Sequence, residues 1–184
     1  RLRESIERAS VLDFYKKKFK EFDITPDKIK SLDDLRRLPF TTKQDLRDNY
    51  PFGLFAVPQS QIVRVHASSG TTGKATVVGY TRRDLDVWSE CVARCLTMAG
   101  IGRQDIIQIA YGYGLFTGGP GLNGGSHKVG SLTLPLSSGN TERQIQFMND
   151  LGATILCCTP SYAAYIGESL KEMGYKGEDI PLKA

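Results

Sequence analysis

The chain has 184 residues, 40% hydrophobic and 24% charged, with a net charge of +4. That length suits one domain and a little more, and the composition excludes a disordered chain. No apolar run approaches the roughly 18 residues of a membrane helix, and Arg1 to Ser10 lacks the pattern of a signal peptide. The opening Arg in place of Met points to an excised piece.

Leu2, Ile6, Ala9, Leu12, Tyr15, Phe19 and Phe22 recur at three- and four-residue steps, which predicts an amphipathic helix interrupted before Pro26. Lys16, Lys17, Lys18 and Lys20 then form a solvated helix face, because no second basic patch exists to make a nucleic-acid surface. Thr42-Lys43-Gln44-Asp45 has the form of a capping box, so a short helix starts there and Pro51 closes it. From residue 61 strands alternate with helices. Ile62 to Ala67 and Ala75 to Tyr80 read as strands, Thr81 caps a helix with Asp84 three on, and Gly100 stops it. Trp88, Cys91, Val92, Cys95 and Met98 make that helix's apolar stripe.

Asp105 to Tyr111 is a β-branched run suited to a doubly covered parallel strand. A glycine-rich stretch follows, then a strand over Ser131 to Leu136. A helix is capped at Thr141 with Gln144 three on, Ala153 to Cys158 is a strand, and a helix runs from Pro160 to near Gly174. The fold class is therefore α/β: N-terminal helices, then β-α units forming a mostly parallel sheet. Residues 1–60 read as a helical segment packing on the core, and 61–184 as an α/β nucleotide- and acyl-binding subdomain. Cys91, Cys95, Cys157 and Cys158 lack metal-ligand spacing and read as buried thiols of a reducing, cytoplasmic compartment, with no metal site.

Two segments carry chemistry. Ser68-Ser69-Gly70-Thr71-Thr72-Gly73-Lys74 packs hydroxyls, glycines and a lysine between two strands, the inventory of a phosphate cradle. It is no Walker A loop, since Ser68 and Ala75 stand where that motif needs Gly and Ser or Thr. Tyr111-Gly112-Tyr113-Gly114-Leu115-Phe116-Thr117-Gly118-Gly119 follows a buried strand, where open α/β sheets bind ligands. Glycine lets backbone approach a ligand, and Tyr111, Tyr113 and Phe116 offer flat apolar walls. Thr117 takes the third glycine position of a dinucleotide fingerprint, which argues against that reading. His66 beside the Ser68 loop reads as structural, because no nucleophile elbow is present.

Together these segments resemble the adenylate-forming acyl-CoA synthetases, and within them the phenylacetate–coenzyme A ligase family. Leu38-Pro39-Phe40-Thr41-Thr42-Lys43-Gln44-Asp45-Leu46-Arg47 through Tyr50-Pro51-Phe52-Gly53 is similar to that family's N-terminal signature. The Ser68–Lys74 loop is similar to the superfamily's phosphate-binding loop, and the Tyr111–Gly119 stretch to the segment that shapes the acyl pocket. Ala75 replaces a usual proline and Pro120 a larger apolar residue, departures that bear on loop stiffness.

The resemblance implies the N-terminal part of a longer enzyme's large domain, inactive alone. Its parent would use ATP, Mg²⁺ and coenzyme A to turn an aryl acid into its thioester. It assigns Ser68, Ser69, Gly70, Thr71, Thr72, Gly73 and Lys74 to phosphate, with Lys74 catalytic. Tyr111, Tyr113, Phe116, Gly118 and Gly119 fall to the aryl pocket. Partners are then small molecules, with no nucleic acid or membrane, and a homodimer stays open. The alternative is a non-catalytic α/β domain binding a nucleotide or a partner protein.

Overall fold

The computed structural model describes residues 1–68 and 73–183, and the chain divides into two compact units, Arg1–Arg82 and Arg83–Ala184. In the first unit α1 (Leu2–Ser10) and α2 (Asp13–Glu21) replace the single opening helix expected from the periodicity. The chain turns extended at Leu12 (ψ 133°), which folds Ile6 of α1 and Phe19 of α2 into one core with Ile24 and Ile29. A continuous helix would hold those two side chains about 20 Å apart, so burial favours the break. Short 3₁₀ turns at Pro26–Lys28 and Leu32–Arg37 lead to α3 (Lys43–Asp48). There Thr42 and Asp45 form the expected capping box.

The unit ends in β1 (Ile62–Ala67) and β2 (Val77–Thr81), which pair antiparallel with Ala67 opposite Val77. This pair is the antiparallel part of an otherwise parallel set of strands, because the nine residues between β1 and β2 are too few for a crossover helix. His66 is buried in β1 with its ring edge-on to Tyr80, 5.4 Å between centroids.

The second unit holds the parallel sheet. Its elements are α4 (Arg82–Met98), β3 (Ile106–Ile109), α5 (Gly118–Val129), β4 (Leu132–Leu134), α6 (Thr141–Asp150), β5 (Ile155–Cys157) and α7 (Pro160–Glu172). The strand order is β4-β3-β5, with both pairs parallel. Ile107, Ile109 and Ile155 pack on one face with Leu96 and Ile101. Leu134 shares the other face with Ile145, Met148 and Ile166. Helices α4 and α5 thus cover one side and α6 and α7 the other.

Two expectations are corrected here. The glycine-rich stretch becomes helix α5, and α4 is rotated away from its expected stripe. Leu85, Ala93 and Leu96 are its buried residues, whereas Cys91 and Cys95 are exposed and Met98 is 88% exposed. The cause is contact with α5. A Cβ at Gly121 would lie 2.6 Å from the Trp88 ring, and one at Gly125 would lie 2.4 Å from Val92 Cγ1. Cys157 and Cys158 are half-buried, and burial pushes the Cys157 thiol up to about 11.

At the amino end of the sheet, Asp105 is 5% exposed. It accepts hydrogen bonds from Gly102 N–H (2.9 Å) and Thr154 Oγ1 (2.8 Å), and pairs with Lys183 Nζ at 2.9 Å. Gly102 N–H first, then Lys183 and Thr154, hold its carboxyl at about 2 against an ordinary 3.8. A depressed folded pKa means the Asp105 contribution is full above 3.8 and lost as pH falls through about 2. Acid titration of stability should therefore show a limb in that window, shallower in Asp105→Asn.

The glycine face of α5 gives a second test. Gly125→Ala should destabilise by about 1–3 kcal/mol in a urea melt, since the new methyl meets a β-branched side chain and backbone. Gly124→Ala should cost about 1 kcal/mol less, because its methyl meets a Ser89 hydroxyl 2.5 Å away that can rotate.

Candidate functional site

Of the residues expected to bind phosphate, Ser69, Gly70, Thr71 and Thr72 lie outside the described residues; Ser68, Gly73 and Lys74 border them. Ser68 closes the neck of the loop. Its N–H donates to Thr76 O and its Oγ accepts from Thr76 N–H, both at 3.0 Å. Gly73 has φ +135°, a conformation open to glycine and strained for other residues. Lys74 is exposed, with its Nζ 5.9 Å from the centre of the Tyr50 ring. No ion pair among the described residues includes Lys74.

Tyr50 belongs to the segment similar to the ligases' N-terminal signature, so the structure joins that segment to the loop lysine. It was not among the expected site residues, and no spacing rule signals it. The signature is itself anchored by charge. Lys18 Nζ donates to Asp45 Oδ2 (2.8 Å) and to Phe40 O (2.7 Å), and Thr42 N–H donates to Asp45 Oδ2 at 2.7 Å. Lys18 and then the Thr42 N–H hold the Asp45 carboxyl at about 2.

In the second unit the aromatic loop runs from the carboxyl end of β3 into the first turn of α5. Rings seat on glycines there. A Cβ at Gly118 would lie 3.0 Å from Tyr111 Cδ1 and 3.3 Å from Phe116 Cε1, so both rings converge on that one position. A Cβ at Gly119 would lie 2.9 Å from the Tyr113 ring and from Gly112 O. Tyr113 Oη donates to Asn123 Oδ1 at 3.3 Å, and burial raises the Tyr113 phenol, with Cys157 adding to it. Tyr111 and Tyr113 pack on the core, whereas Phe116 is 59% exposed.

The structure therefore brings Tyr111, Phe116 and Gly118 together, and Tyr113 with Gly119. The loop residues Ser68, Gly73 and Lys74 belong to the first unit and the aromatic segment to the second. The turn 137–140, which abuts Gly112 and Tyr113, lies between the expected strand ending at Leu136 and the expected cap at Thr141. The observed cap is Asn140, whose Oδ1 accepts from Arg143 N–H at 3.1 Å, in place of Thr141. Among the described residues no group of three His, Cys, Asp or Glu side chains is placed to hold a metal ion. No helix of these residues is long and apolar enough to cross a membrane.

No protein-family profile matches the chain. Curated relatives do. It is 50% identical over 170 residues to a phenylacetate-coenzyme A ligase of Thermus thermophilus, covering 92% of this chain and 38% of that protein. It is 48% identical over its full length to the Aromatoleum evansii phenylacetate-coenzyme A ligase, covering 42% of that protein. The chain thus spans about two fifths of these relatives' length. The crystal structure of 2-hydroxyisobutyryl-CoA ligase with 2-HIB-AMP and CoA in the thioesterification state superposes with TM-score 0.91 at 30% identity. That match covers 99% of this chain and 40% of the other. With an α/β fold shared at this level and close to half of all aligned residues identical, the chain belongs to the phenylacetate–coenzyme A ligase family of adenylate-forming enzymes.

Proposed function

We propose that the protein to which these residues belong joins an aryl-acetic acid to coenzyme A at the expense of ATP. The observation that carries this reading is the convergence of Tyr111 and Phe116 over Gly118 at the carboxyl end of β3. It occurs in a chain 48% identical over its whole length to a phenylacetate-coenzyme A ligase. A flat apolar group packs well between aromatic side chains, and the carboxyl ends of parallel strands are where such sheets bind ligands.

The acid's carboxylate oxygen attacks the α-phosphorus of ATP. The bond from that phosphorus to the bridging oxygen breaks, giving the acyl adenylate and pyrophosphate. The coenzyme A thiol then loses its proton and attacks the acyl carbon, forming the thioester and expelling AMP. In this reading the Ser68–Lys74 loop holds the β- and γ-phosphates, with Lys74 balancing the charge of the departing pyrophosphate. Phosphoryl chemistry depends on positioning and charge stabilisation, which makes such a loop catalytic machinery. The support is local: Lys74 rests over a ring and is paired with no described carboxylate, so moving to a phosphate breaks no ion pair. Tyr111, Tyr113, Phe116, Gly118 and Gly119 form the aryl pocket in this reading. ATP and coenzyme A are its co-substrates.

In the full-length protein, Lys74→Ala should slow acid-dependent ATP–pyrophosphate exchange by about 10- to 1,000-fold. An unchanged exchange rate removes Lys74 from the mechanism. Phe116→Ala should raise KM for phenylacetate by about 2- to 10-fold while leaving KM for ATP alone. Equal effects on both substrates would take Phe116 out of the pocket.

A further inference from the structure

A buried pair of glutamines links the sheet to the aromatic loop. Gln108 of β3 is 0% exposed and Gln144 of α6 is 2% exposed, in a layer otherwise apolar. Gln108 Nε2 donates to Gln144 Oε1 at 2.8 Å and to Gln144 O at 3.0 Å. Gln144 Nε2 in turn donates to Ser137 O at 2.7 Å, with Gly139 O more distant at 3.4 Å. A core needs apolar volume at such positions, and a buried amide pair costs desolvation that packing alone would not select.

The turn these amides hold is unusual. Ser137 (φ 66°) and Asn140 (φ 47°) are left-handed without being glycine, and Gly139 lies between them at φ 89°. Such backbone persists only where its surroundings fix it. A cavity of about 350 Å³ opens against the turn, lined by Leu136, Ser138, Arg143 and Gln144, so side-chain packing there is incomplete. Hydrogen bonds supply the support. From the turn the contact passes to the aromatic loop. Tyr113 N–H donates to Ser137 Oγ at 3.4 Å, and the Cβ direction of Gly112 points at Ser138 Oγ, 3.6 Å away.

We propose that Gln108 and Gln144 are positioning residues, which set the Ser137–Asn140 turn and through it the backbone of Gly112 and Tyr113. Their effect on substrate rests on the aryl-pocket reading; their effect on the backbone does not. A small displacement of a positioned group costs catalysis or binding heavily, which gives a buried polar pair its use here.

The test compares the full-length wild type with Gln144→Met, which keeps length and loses the donors to the turn and the Oε1 acceptor for Gln108, by hydrogen exchange and steady-state kinetics. Exchange in peptides over 110–118 and 131–140 should rise at least about tenfold, with peptides over 106–109 and 155–157 unchanged. KM for phenylacetate should rise about fivefold with KM for ATP unaltered. Ser137→Gly is the second variant. It keeps the left-handed backbone without strain and deletes only the acceptor for Tyr113 N–H. It should speed exchange over 110–118 alone and raise KM for phenylacetate in the same sense. Unchanged exchange in both variants overturns the proposal, as does loosening of the strands to the same degree as the turn. If the wild type activates no aryl acid, the proposed function fails, while the exchange comparison still decides the role of the glutamines.

Discussion

The second unit depends on the absence of side chains along one helix. At Gly118, Gly119, Gly121, Gly124 and Gly125, a methyl group would meet a neighbour at 3.0 Å or less. Trp88, Ser89 and Val92 of α4 occupy part of that space, and the Tyr111 and Tyr113 rings occupy the rest. Each glycine costs α5 roughly 1 kcal/mol of helix propensity relative to alanine, so the helix exists because its neighbours close over it. One surface thereby sets the rotation of α4 and the seating of the aromatic loop. A change on α5 is felt in the core and in the candidate pocket together.

The first unit is organised by charge and capping more than by apolar volume. Its core is small, built on Ile6, Phe19, Ile24 and Ile29. The segment similar to the ligases' signature is held through Asp45, which satisfies the Thr42 end of α3 and pairs with Lys18 of α2. That ties α2 to the chain leading toward Tyr50, whose ring lies under Lys74. A cation over an aromatic face at this distance is weakly held compared with an ion pair. The lysine is thus placed without being committed, as its proposed contact with phosphate requires.

Much of the candidate site could be read in the sequence because its signals are local. The Thr42 and Asp45 capping box, the hydroxyl and glycine content of Ser68–Lys74, and the Tyr111–Gly119 composition each express chemistry within a few residues, and the resemblance rested on the segments that contain them. The Gln108–Gln144 pair and Ser137 were not legible, since 36 residues separate the two amides and only the sheet brings them together. Gln144 sits three residues after Thr141, so its local spacing pointed to a cap, while tertiary contact gave its side chain to the turn instead.

By itself, then, the order of amino acids determined the α/β class, the strand positions and the family, because periodicity, capping and short motifs act over one or two turns of chain. Only the tertiary structure decided that Gly118–Val129 is a helix and that α4 buries Leu85, Ala93 and Leu96 instead of its cysteines. It alone also decided that Ser137 takes a left-handed conformation. Those outcomes oppose local preference: glycine disfavours helix, and serine disfavours positive φ. They are settled by close packing and buried hydrogen bonds between residues distant in the chain, whose free energy exceeds the few kcal/mol that propensity can supply.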